Sequence, residues 1–189
     1  MKTEEVIVPR RKRSAAAAKS GASRTEEARA RSSGRDDFVE RERRFYKLSF
    51  AFLGGKKFIR HELTSRSDVH SAIVSGVPYA ALIFLVSQVR GLEETDVVKV
   101  LGISTRTLRR QSETPERSMP TDLASKTWLF AETLAKATEI FGGKEEAERW
   151  MSKPAMGLDR QRPIELLQTV QGAELVNDFL GRLEYGVYT

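Results

Sequence analysis

After about residue 36, apolar side chains recur at spacings of three and four, and Gly, Pro, Ser and Thr separate the runs. That is the pattern of short amphipathic helices rather than of strands. The clearest run is Leu123, Thr127, Phe130, Leu134, Ala137 and Phe141, closed by Gly142-Gly143; it predicts a helix from about Thr121 to Phe141. Pro78 stands where a helix would begin, with Ala81, Leu82, Leu85, Val86 and Val89 on one face and Gly91 as the expected stop. Thr95 is the expected cap of a next helix, with Asp96 in its first turn and Val97, Val98 and Leu101 inward. Gly102 ends that helix, and Ser104 can cap another containing Thr107 and Leu108. Two short helices across a glycine-containing turn match the helix-turn-helix pattern.

Downstream, residues 145–151 read as a short helix bearing Ala147, Trp150 and Met151, followed by a loop at Pro154 and Gly157. Pro163 opens a further short helix with Leu166 and Leu167 inward. Gly172 precedes a last one carrying Leu175, Val176, Phe179, Leu180 and Leu183. Upstream, the charged stretch from Asp37 to Arg44 suits a helix start, and Phe45, Tyr46, Leu48, Phe50, Phe52 and Leu53 supply core-sized side chains up to Gly54-Gly55. Residues 56–76 are ambiguous and suggest short helices broken near Ser65 and Gly76. No sustained strand pattern follows residue 76, so the expected fold class is all-α.

Charge changes the picture at the N-terminus. Residues 1–35 hold ten Lys or Arg and four Glu, which accounts for the whole formal charge of +6; the remainder is balanced. With Ala15 to Ala18, scattered Ser and Gly and no large apolar residue after Val8, this stretch reads as a disordered basic arm. The arm suits phosphate neutralisation on nucleic acid and equally suits a solubilising tail. The chain has no cysteine, which removes disulfides, thiol chemistry and cysteine-ligated metals. No apolar run is long enough to span a bilayer and no secretory segment is evident, so a cytoplasmic protein without membrane attachment is expected.

Candidate chemistry is sparse. His61 and His70, the two histidines, have no metal-ligand spacing, and Gly54-Gly55-Lys56-Lys57 lacks the spacing and the Ser or Thr of a phosphate loop. Asp36 and Asp37 adjoin but point different ways on a helix. Neither a catalytic residue, a metal nor a cofactor is expected. The nucleic-acid candidates are Ser104, Thr105, Arg106, Thr107, Arg109 and Arg110. At the start of a recognition helix, hydroxyls can bind bases or phosphates and arginines can grip guanine bidentately. The alternative is an ordinary helical corner with a solvated basic face. One such unit would need a homodimer on a paired site for useful affinity.

Residues 76–189 carry a more specific signal. Leu101-Gly102-Ile103-Ser104-Thr105-Arg106-Thr107-Leu108-Arg109-Arg110 is followed by Ala147-Glu148-Arg149-Trp150-Met151, Pro154, Gly157-Leu158, Arg162-Pro163-Ile164-Glu165-Leu166-Leu167, Thr169, Gly172, Val176 and Leu183-Glu184-Tyr185-Gly186-Val187-Tyr188. This ordered series resembles the Xre/MbcA/ParS antitoxins, partners of RES-domain toxins. The resemblance implies an inhibitor of an NAD-consuming toxin that also binds operator DNA as a homodimer. It implies residues 36–142 as a helical dimerisation and DNA-binding region and residues 143–189 as a toxin-binding domain, whose last segment covers the toxin's NAD pocket. Trp150, Leu158, Pro163, Leu166, Leu167, Gly172, Val176 and Leu180 would then build that domain, and Arg182, Glu184, Tyr185, Gly186 and Tyr188 would contact the toxin. Tyr185 and Tyr188 can equally stitch the terminus to its own domain. The competing function is a stand-alone helix-turn-helix transcription regulator whose C-terminal helices dimerise.

Overall fold

A computed structural model describes residues 39–184 and 186; the basic arm, Asp36, Asp37, Tyr185 and Tyr188 lie outside the described residues. The chain divides between Arg41 and Glu42 into two units, and the second is built of helices around one continuous apolar core. The helices are α1 (residues 39–52), α2 (Arg66–Ser75), α3 (Tyr79–Gln88), α4 (Glu94–Leu101), α5 (Thr105–Gln111), α6 (Thr121–Phe141), α7 (Lys144–Ser152), α8 (Pro163–Leu166) and α9 (Val170–Glu184). Three-residue 3-10 turns occupy Gly55–Lys57 and Met156–Leu158. Among the described residues the sole β pairing is a single bridge between Pro78 and Ser118, so the fold is all-α.

The long helix α6 is the axis of this unit. Ten of its 21 residues are buried, which places it in the interior rather than on one face of the protein. It packs against α2, α4, α7 and α9. Its buried hydroxyls are satisfied within the helix: Thr127 donates to the Leu123 carbonyl at 2.7 Å and Thr133 to that of Leu129 at 2.9 Å. In α1, Tyr46, Ser49 and Phe50 face inward, continued by Leu53 just past the helix, and Tyr46 stacks on Trp128 of α6 with ring centres 6.0 Å apart. Gly54-Gly55 form a turn with φ of 83° and 58°, which favours glycine over residues bearing a Cβ.

The ambiguous stretch 56–76 resolves into one helix. Ser65 accepts from the Asp68 N–H at 3.2 Å, while Asp68 accepts from the Thr64 N–H and hydroxyl at 3.0 and 2.9 Å. This reciprocal cap starts α2 and Gly76 ends it. Three expectations need correction. Helix α3 stops at Gln88, ahead of Gly91. Helix α4 starts at Glu94 rather than after Thr95, because the Glu93 carbonyl already accepts the N–H groups of Asp96 and Val97. Helix α9 begins at Val170, so Gly172 lies in its first turn rather than before it. Thr169 accepts the Gly172 N–H at 3.0 Å and serves as the cap.

Candidate functional site

Helix α4 ends in a Schellman arrangement: Gly102, at φ 70°, donates to the Lys99 carbonyl and Ile103 to that of Val98, both at 3.0 Å. The next residue but one reverses the chain into α5. Ser104 accepts from the Thr107 N–H at 3.0 Å, and the Ser104 and Thr107 hydroxyls lie 2.9 Å apart. Leu101 and Leu108 are buried and Ile103 is half-buried, which seats both helices on the core. The opposite face of α5 is polar. Arg106, Arg109 and Arg110 are exposed, and their side chains make no hydrogen bond or ion pair within the described residues, whereas Thr105 and Thr107 are half-buried. Three cationic groups with unspent donors on one short, well-anchored helix can take phosphate oxygens or base edges. Sequence reasoning did not single out Lys126 of α6: a Cβ placed on Gly102 would lie 3.2 Å from its Nζ, so this ammonium borders the turn while pairing with Asp122 at 3.0 Å.

The second assembly is C-terminal. Leu158, Pro163, Leu167, Gly172, Val176 and Leu180 are buried in the common core. Trp150 is half-buried instead, between Phe141 at 5.0 Å and a parallel Phe179 at 6.1 Å. Leu166 is also only half-buried. In a helix of four residues the inward position falls to Ile164, which is 1% exposed. Leu175, one of the apolar residues carried by the last helix, is 55% exposed. Gly172 permits a very close approach, since a Cβ there would lie 2.1 Å from the Leu166 carbonyl oxygen. Of the terminal candidates, Arg182 is exposed with its guanidinium 5.8 Å from the Phe179 ring centre, Glu184 is half-buried and Gly186 is an exposed turn residue at φ 64°.

Polar contacts tie the two assemblies together. Arg162 pairs with Asp96 of α4, donates through Nε to the Ser152 carbonyl at 3.0 Å and through Nη1 to Glu165 at 3.2 Å. Hydrogen bonding to the Asp96 carboxylate holds the Arg162 pKa above its ordinary value. Glu148, 2% exposed, accepts the Gly91 N–H at 2.6 Å. Its other oxygen is buried without a hydrogen bond, 3.7 Å from the Lys144 ammonium, and Lys144 donates to the Gln88 carbonyl at 2.5 Å. The α3–α4 loop and the start of α4 are thus gripped by α7 and Arg162.

Among the described residues no cluster of His, Asp or Glu could hold a metal ion, and no helix is long and apolar enough to cross a membrane. His61 and His70 are both exposed.

A helix-turn-helix seated on a long central helix, with a compact helical C-terminal assembly fixed to its first helix, defines a protein of the helix-turn-helix class. Residues 136–186 match the family described as the antitoxin Xre/MbcA/ParS C-terminal toxin-binding domain. Relatives named antitoxin Xre include one from Pseudomonas putida, 30% identical over 125 residues, covering 66% of this chain and 76% of the relative. One from Yersinia enterocolitica is 34% identical over 99 residues, covering 52% of this chain and 66% of the relative. Another from Photorhabdus laumondii is 29% identical over 93 residues, covering 49% and 62%. The chain belongs to the Xre antitoxin family. It spans slightly under two thirds of the length of the Yersinia and Photorhabdus relatives.

Proposed function

We propose that this protein is the antitoxin of an NAD-consuming RES-domain toxin. It grips the toxin with residues 143–189, covers its NAD pocket with the terminal segment that includes Arg182, Glu184, Tyr185, Gly186 and Tyr188, and represses its own operon as a homodimer through α5. The observation that carries this reading is the joining, in one unit, of an unpaired arginine face on α5 to a segment matching a toxin-binding domain. Ser104 and Thr107 shape the start of the reading helix, Thr105 and Arg110 serve the phosphate backbone, and Arg106 and Arg109 reach bases or phosphates. Residues 36–142 carry dimerisation and DNA binding, and residues 1–35 lend nonspecific phosphate contacts.

The test is to purify the chain with the RES-domain protein encoded in the same operon and to measure NAD consumption. Stoichiometric suppression is expected, with relief on deletion of Glu184 to Thr189. Full inhibition by that truncated chain overturns the covering of the pocket. A chain that binds its operator yet neither binds nor inhibits the RES-domain protein is a stand-alone regulator.

A further inference from the structure

Most glycines of the compact unit have a visible reason. Gly54, Gly55, Gly76, Gly102, Gly142 and Gly186 adopt positive φ. Gly91, Gly157 and Gly172 have no room for a Cβ, which would meet Glu148, Phe179 and the Leu166 backbone at 2.6, 2.0 and 2.1 Å. Gly143, extended ahead of α7, has neither reason, since a Cβ there would meet nothing closer than 4.0 Å, but it stands outside any helix.

Gly181 has neither reason. It sits inside α9, three residues before the helix ends, and a Cβ there would meet nothing within 4 Å. Helix α9 continues to Glu184, so Gly181 does not end it. A helical glycine facing open space weakens its helix relative to alanine. Its surroundings point outward as well. At helical spacing Val170, Glu174, Asp178 and Gly181 form one row on α9, flanked by Leu175 and Arg182. Val170 and Leu175 are 64% and 55% exposed, and Met156 before the helix is 82% exposed. Three of the five exposed large apolar side chains among the described residues therefore fall in residues 136–186. The side chains of Glu174 and Asp178 are exposed and make no ion pair or hydrogen bond within the described residues, so the row is acidic as well as apolar.

We infer that this outward face of α9 docks on the toxin, with Gly181 as the point where the toxin's backbone approaches most closely. The inference rests on the antitoxin reading above and adds a second contact to the terminal segment. The partner surface it fits is apolar, with cationic groups facing Glu174 and Asp178.

The test uses the full-length chain and the purified RES-domain protein of its operon, with melting and calorimetric titration of each variant. Gly181→Leu should melt no lower than the unaltered chain, since it fills open space in a helix, yet bind about tenfold or more weakly through lost close approach. Asp178→Lys, on the same row, should also bind more weakly. Gly181→Leu and Asp178→Lys chains that both bind as tightly as the unaltered chain overturn the inference while leaving the antitoxin reading intact. An unaltered chain that does not bind the RES-domain protein overturns both.

Discussion

Gly172→Ala isolates the contact between α8 and α9. The added Cβ would lie 2.1 Å from the Leu166 oxygen, 2.8 Å from its carbonyl carbon and 3.0 Å from its Cα. These are backbone atoms and cannot rotate aside. Relief requires α8 and α9 to part by about an ångström. That movement is opposed by buried Pro163 and Ile164 on one side and by Ala173 and Val176 on the other. Overpacking of this kind costs about 1–3 kcal/mol, and replacing a helical glycine by alanine returns about 0.5–1 kcal/mol. The net loss is about 1–2 kcal/mol, which in a chain of this size lowers the melting temperature by roughly 2–8 °C. Thermal unfolding followed by far-ultraviolet circular dichroism measures it. Gly181→Ala in the same helix meets no atom within 4 Å and should shift the melt upward. A Gly172→Ala protein melting at or above the unaltered temperature refutes the close-contact argument.

Other predictions concern charge and capping. The double variant Arg106→Ala, Arg109→Ala should melt normally, because both side chains are exposed and unpaired, yet lose operator affinity and flatten its salt dependence; unchanged binding and slope remove α5 as the reading helix. Arg162→Lys keeps the charge but cannot serve Asp96, Ser152 and Glu165 together, so destabilisation of about 1–2 kcal/mol in denaturant unfolding is expected. Thr64 and Ser65 hold the Asp68 carboxyl below its ordinary range. A lowered folded pKa means that the stabilisation is complete above the unfolded value and disappears as pH falls through the folded one. Asp68→Asn should therefore be less stable than the unaltered chain at neutral pH and equal to it in strong acid. A stability gap that persists unchanged in acid would remove the carboxylate from the cap.

Helix limits were legible wherever stereochemistry forces them. Gly102 and Gly142 need positive φ and Ser104 supplies a capping oxygen, and these bounds appear at the expected places. Thr95 misled because a hydroxyl ahead of an apolar run resembles a cap; in the structure Thr95 Oγ1 instead lies 3.4 Å from the Glu93 carboxylate within the first turn. Leu175 follows the apolar run of α9 but stays exposed, and periodicity cannot distinguish a core position from an uncovered one. In α8 four residues are too few for any period, so Ile164 was missed. The Asp96–Arg162 pair was invisible for another reason: its partners stand 66 residues apart, and no local spacing links them. The arginine face of α5 was readable as residue types, whereas its freedom from partners needed the fold.

The loop that leaves α5 returns to α3 through backbone bonds. The Tyr79 N–H reaches the Arg117 carbonyl at 2.9 Å, Ala80 reaches Pro115 at 2.8 Å, and Met119 reaches Val77 at 2.7 Å. Residues 77–119 thereby form a closed cassette whose two ends are fastened to each other before α6 begins. Within it, the first donors of α3 are satisfied by residues that follow α5. Any excursion that swings α5 away through this loop must release those amides together, so hydrogen exchange at Tyr79, Ala80 and Met119 forms one synchronised clock for the motion of α5.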